Sequence, residues 1–70
     1  MNREKVNSVM AVSIGYQELT QTLEVEFKSG EIWQYRGVPQ AIHIAMMSSD
    51  SIGRFFQKYI KGNFEEVRVK

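Results

Sequence analysis

From Ser8 to Tyr16 the chain alternates, with Met10, Val12, Ile14 and Tyr16 separated by Ala11, Ser13 and Gly15. A period of two over this length predicts an extended strand. Gln17 to Gln21 is polar apart from Leu19 and reads as a turn. Thr22 to Lys28 alternates again: Leu23, Val25 and Phe27 fall on one face, and Glu24, Glu26 and Lys28 on the other. That is the pattern of a half-buried strand with one wet side. A third strand follows over residues 31 to 36, with Trp33 and Tyr35 two apart and therefore on one face.

The turn between the second and third strands sets their register. A three-residue loop, Lys28-Ser29-Gly30, with Gly30 in the left-handed position, places Phe27 opposite Glu31, Val25 opposite Trp33 and Leu23 opposite Tyr35. A two-residue turn would set Glu24 and Glu26 across from the aromatics, which moves an apolar set to the wrong face. The longer loop is therefore expected. It puts Trp33 and Tyr35 on the face of Leu23, Val25 and Phe27, and leaves Ile32, Gln34 and Arg36 with the glutamates on the wet face.

Gly37-Val38-Pro39 closes the third strand, and Pro39 suits the first turn of a helix. Gln40 to Met47 reads as helical, with Ile42, Ala45 and Met46 on one stripe. Ser48 to Ser51 is a loop rich in helix-capping residues. A second helix is predicted from Ile52 to Lys61, with Ile52, Phe55, Phe56, Tyr59 and Ile60 at helical spacing and Gly62 as its stop. Gly53 in its first turn suggests a close backbone approach or a bend. Residues 65 to 70 alternate weakly at Val67 and Val69 and read as a short further strand or a frayed end. The expected fold is α+β: a three-stranded antiparallel meander, then two helices packed on one face of the sheet.

Seventy residues make one small domain, expected to span 1–70 with its core over about residues 6–64. A chain of this size buries only roughly 60% of its unfolded surface, so each large apolar side chain matters. There is no cysteine, which excludes disulfide staples and thiolate metal sites and fits a reducing, cytoplasmic setting. Met1 to Lys5 is charged, and no long apolar run follows it, so neither a secretory leader nor a membrane span is expected.

The net charge of +1 is small, but it is unevenly spread. Residues 17 to 31 carry Glu18, Glu24, Glu26 and Glu31 against Lys28, while the chain after Asp50 carries Arg54, Lys58, Lys61, Arg68 and Lys70 against Glu65 and Glu66. A basic side on the second helix permits phosphate contacts, although a solvated helix face explains the same residues.

Reactive chemistry is sparse. His43 is the one histidine, and a lone histidine on a helix is usually a surface or boundary residue. Glu24 and Glu26 point the same way from one strand, but cross-strand charge pairing accounts for them better than acid–base work. No catalytic, metal-binding or cofactor residues are assigned.

The order Ser8, Ile14-Gly15-Tyr16, Leu23-x-Val25-x-Phe27-x-x-Gly30-x-x-Trp33-x-Tyr35-x-x-Val38-Pro39, Ser51-x-Gly53-x-Phe55-Phe56 and Ile60-Lys61-Gly62 resembles the KTSC domain family. That family is named from the C-terminus of some lysyl-tRNA synthetases and also occurs as stand-alone bacterial and phage proteins. The resemblance runs from about Val6 to Phe64. It implies a domain of unestablished function, for which RNA binding is the usual suggestion, while the sparse reactive chemistry argues against an enzyme. The family's Tyr-x-Tyr maps onto Trp33 and Tyr35. Gln17 stands where an Asp often follows Gly-Tyr, and Phe64-Glu65-Glu66-Val67 replaces an aromatic and basic end.

Two readings follow. In the first, the domain binds RNA through Arg54, Lys58 and Lys61, with Arg36 as a neighbour, and Trp33 and Tyr35 are mainly structural because the helices cover them. In the second, it associates with itself or with another protein through an apolar patch formed by Phe55, Phe56, Tyr59 or Phe64.

Overall fold

The computed structural model describes all residues from Met1 to Lys70. Five antiparallel strands form one sheet in sequential order: β1 (Glu4–Lys5), β2 (Ala11–Gln17), β3 (Thr22–Phe27), β4 (Ile32–Arg36) and β5 (Glu65–Arg68). Two helical elements lie between β4 and β5: α1 (Gln40–Met47), and α2 (Ile52–Phe55) running straight into a π-helical turn over Phe56–Ile60. The α+β class and the central meander are as the pattern predicts. The sheet gains a strand at each edge.

The expected hairpin register is present. Leu23 pairs with Tyr35 and Val25 with Trp33, and the Phe27 amide donates to the Glu31 carbonyl at 2.9 Å. Gly30 has φ +96°, a conformation that costs a residue with a Cβ and is free for glycine. The helix-side face of the sheet and the helices together close a core of nine buried residues, including Ile14, Leu23, Val25, Tyr35, Met46, Phe56 and Ile60. Phe56 lies edge-on to both Phe27 and Tyr35, with ring centroids 5.6 and 5.2 Å apart, an arrangement favoured by the ring quadrupoles.

Several local expectations are corrected. The strand expected from Ser8 is β2, which begins only at Ala11, and its pairing with β3 is interrupted between Ala11 and Ser13. A bulge of this kind inserts an extra residue and changes which side chains face inward. Ala11 is thereby fully buried, while Val12 is only half-buried. On α1, Met46 is buried but Ala45 is exposed, so the inner stripe is narrower than the pattern suggests. Pro39 is the residue preceding α1 and not part of its first turn. The second helix is not α-helical to Lys61: the Lys61 amide reaches back five residues to the Phe56 carbonyl at 2.9 Å, and Lys61 itself is extended. Of the two readings offered for residues 65 to 70, the strand is present: Glu65–Arg68 form β5 on β4.

The largest correction concerns the second face of the sheet. Glu24 was expected on a wet face beside Lys28 and Arg36, yet it is 6% exposed. The charged N-terminus covers it. β1 pairs with β2 at Ser13 and Ile14, and Arg3 donates to Glu24 and, through Nε, to the Ser13 hydroxyl at 2.9 Å. Ser13 in turn donates to Glu26 at 2.8 Å, and the Gln34 amide donates to Glu24 at 2.9 Å. Gly15 makes the close approach possible, since a Cβ there would stand 2.6 Å from the Asn2 carbonyl oxygen.

Gly53 is the opposite case. A Cβ at this position would lie 3.6 Å from the Met10 Cβ and 3.9 Å from the Ser8 hydroxyl, which is ordinary contact. The close approach expected from the sequence is absent. Gly53→Ala is therefore expected to stabilise the domain by about 0.5–1 kcal/mol, chiefly by restricting the unfolded chain. Urea unfolding of the two proteins side by side checks this, and a lower midpoint for the variant would contradict it.

Candidate functional site

The π-helical turn decides which side chains reach the surface. Phe56 and Ile60, four residues apart, both point into the core at 2% and 0% exposure. Phe55 and Tyr59, also four apart, stand on the neighbouring outer side, with ring centroids 4.7 Å apart and planes tilted by 46°. Tyr59 is 46% exposed, and the Lys58 ammonium lies 5.3 Å from its ring centroid, within cation–π range. Wide helical turns of this kind recur at functional positions. At the start of α2, the Ser51 hydroxyl accepts from the Arg54 amide at 3.2 Å and so caps the helix. Arg54, Lys58, Phe55 and Tyr59 then enclose a shallow hollow of about 220 Å³ against the Ser49–Ser51 loop. Neither cation is in an ion pair: those present join Arg3 to Glu24 and Glu26, and Arg68 to Glu31.

The four cations proposed from sequence are thus divided. Arg54 and Lys58 share this hollow with the aromatic pair. Lys61 borders a separate groove on the β-hairpin side of the helix. Arg36 is exposed on the second sheet face, beside Thr20, Thr22 and Gln34. Among the proposed interface aromatics, Phe56 is corrected outright, because it is core. Phe55 and Phe64 are half-buried and pack against that core, which leaves Tyr59 as the open ring.

Trp33 and Tyr35 also separate. Tyr35 is 3% exposed and Trp33 is half-buried. The Trp33 indole N–H donates to Glu31 at 2.9 Å, which fixes its ring over the Lys61 groove. This groove, about 440 Å³, opens between the β3–β4 hairpin, the π-helical turn and the start of β5. Sequence reasoning missed it because its walls come from distant segments. The legible signal was Glu31 two residues before Trp33, a spacing that puts carboxylate and indole on one side of a strand.

His43 is a boundary residue. Its ring stacks on Tyr16 at 4.6 Å with planes 10° apart, and burial lowers its pKa against a smaller opposing effect from Glu4. The Tyr16 hydroxyl donates to the Val38 carbonyl at 2.6 Å, so this pair secures the approach to α1. No group of three or more His, Cys, Asp or Glu side chains converges, and no helix is long and apolar enough to cross a membrane.

The molecule is in class a small antiparallel sheet clasped by two helical elements, bearing a basic and aromatic outer helix face. The KTSC domain family matches residues 7–64, and the chain belongs to that family. A crystal structure of a KTSC domain protein from Yersinia pestis superposes with a TM-score of 0.96 at 39% identity, covering 99% of this chain and 97% of that one. An uncharacterised protein of Stutzerimonas stutzeri is 39% identical over 61 residues, 87% of this chain and 86% of its own. A lysine–tRNA ligase of Nostoc punctiforme is 40% identical over 50 residues; these make up 71% of this chain and only 9% of the ligase. The domain therefore occurs both as a short protein and as a small part of a much larger synthetase.

Proposed function

We propose that the domain is a binding module without catalytic activity that takes single-stranded RNA on the outer face of α2 and the π-helical turn. The observation that carries this reading is the convergence of Arg54 and Lys58, both free of ion pairs, with the Phe55–Tyr59 ring pair. Stacking on an open ring together with nearby cations for phosphate is the general chemistry of single-strand binding. Relatives named lysine–tRNA ligases act on tRNA, which is consistent with an RNA partner for the shared segment. A protein-interaction role is less well supported. One open aromatic falls far short of the roughly 800 Å² per partner that a stable interface buries.

Titration of the protein with tRNA and with single-stranded RNA over a range of salt concentrations tests the proposal. Binding is expected to weaken as salt rises, with a log–log slope of about −0.7 for each phosphate held on a single strand. Arg54→Ala with Lys58→Ala should flatten that slope, and Tyr59→Ala should weaken binding while leaving the slope in place. No binding at low salt, or binding indifferent to salt, would refute the RNA reading. Light scattering that shows a concentration-dependent dimer lost in Tyr59→Ala would transfer the surface to self-association.

A further inference from the structure

The groove between the hairpin and the π-helical turn carries a second feature, independent of the RNA face. Tyr35 is 97% removed from solvent, with 3% of its surface exposed. No protein group bonds to its hydroxyl, yet no side-chain oxygen or nitrogen in the molecule is both sealed and unpartnered. The hydroxyl is therefore not sealed, and the groove that Tyr35 lines is the opening beside it. Burial, with the nearby Glu66 charge, pushes its pKa up to about 12, so it stays a neutral donor. A hydroxyl that opens onto a groove without a protein partner is left to donate to water or to an acceptor that displaces it.

The remaining walls narrow the class of that acceptor. Trp33, Phe27 and Met10 supply flat and polarisable apolar surface. The indole N–H is already spent on Glu31, so Trp33 offers its ring face and not its donor. Lys28 and Lys61 border the groove, and neither is ion-paired. Two carboxylates also line the groove: Glu31 accepts from the indole and lies 3.8 Å from Arg68, and Glu66 accepts from the Gly62 amide at 3.3 Å, so the lysines alone can meet an anion here. A volume of about 440 Å³ lies in the range of small-molecule sites, roughly 300–1,000 Å³.

We propose that this groove binds a small planar aromatic anion with the chemistry of a nucleoside monophosphate, its ring against Trp33, an acceptor on the Tyr35 hydroxyl and its anionic group between Lys28 and Lys61. Trp33 is the single tryptophan, so its fluorescence reports on the site directly. Titration of the whole chain with AMP should quench it saturably, with amide shifts mapped to residues 27–35 and 57–66. Adenosine and ribose phosphate, which lack the anion and the ring respectively, should each bind more weakly.

Tyr35→Phe keeps the ring on Phe56 and removes no internal hydrogen bond. It should melt no lower than the parent and bind AMP roughly three- to tenfold more weakly, the worth of one neutral hydrogen bond. Lys28→Gln and Lys61→Gln should weaken AMP but not adenosine. Arg54→Ala with Lys58→Ala should leave AMP binding unchanged, which separates this site from the RNA face. Absence of saturable quenching, equal affinity for AMP and adenosine, or a Tyr35→Phe variant that binds as the parent does would each overturn the assignment.

Discussion

Phe56→Ala is expected to destabilise the domain by about 3–5 kcal/mol, the usual range for truncating a buried phenylalanine. Phe56 is 2% exposed and is the largest fully buried side chain. It joins the helical layer to the sheet through its edge contacts with Phe27 and Tyr35. Single domains have total stabilities of roughly 0.05–0.15 kcal/mol per residue, so for a chain this short the loss removes a large part or all of the margin. Thermal melting followed by circular dichroism should show the midpoint falling by more than roughly 12 °C, or the cooperative transition disappearing. Phe55→Ala is the matched control, because Phe55 is adjacent, half-buried and on the outer side. If the two variants lost equal stability, the π-helical turn would not be sorting these neighbours into core and surface.

That sorting shows where the sequence was legible. The adjacent phenylalanines announced that only one could face the sheet, but α- and π-helical turns both place residues four apart together, so the spacing of Phe56 and Ile60 could not distinguish them. The hairpin was legible in full, since the alternation of Leu23, Val25 and Phe27 and a glycine at position 30 admit one register. The bulge at Val12 was not. Met10, Val12, Ile14 and Tyr16 alternate without a break, and only pairing with β3 shows that Ala11 takes an inward place. For the candidate sites, sequence named Arg54 and Lys58 as cations and Phe55 and Tyr59 as aromatics, but assigned them to rival roles. The fold brings all four to one hollow. The groove at Tyr35 depends on three segments meeting, so no local pattern could mark it.

The N-terminus was the least legible element, because Arg3-Glu4-Lys5 has no apolar pattern, and it gives rise to the second large effect. Arg3→Ala is expected to cost about 1–3 kcal/mol at neutral pH, since it leaves a buried carboxylate short of a donor. The pH dependence identifies the cause. Burial pushes the Glu24 pKa up, but the Gln34 and Arg3 hydrogen bonds and the Arg3 charge together outweigh it, so the folded value lies below the ordinary 4.5. A carboxyl of lowered folded pKa contributes stability that is fully present above its unfolded pKa and is lost as pH falls through the folded one. The parent should therefore lose stability on acidification below about pH 4.5. In Arg3→Ala, burial is opposed by Gln34 but no longer by Arg3, so Glu24 protonates more readily and the acid loss is smaller. The gap between the two proteins should be wider at about pH 7 than at about pH 3, because acid titrates the Glu24 charge that Arg3 stabilises. Gly15→Ala lifts the same segment by another route, through the clash with the Asn2 carbonyl. It should reproduce the neutral-pH loss, with the larger share arising from displaced backbone. Melting curves for the three proteins at both pH values decide the matter: an Arg3→Ala gap that stayed constant with pH would mean that the segment is held by β1 pairing alone, and that the Arg3–Glu24 contact adds nothing.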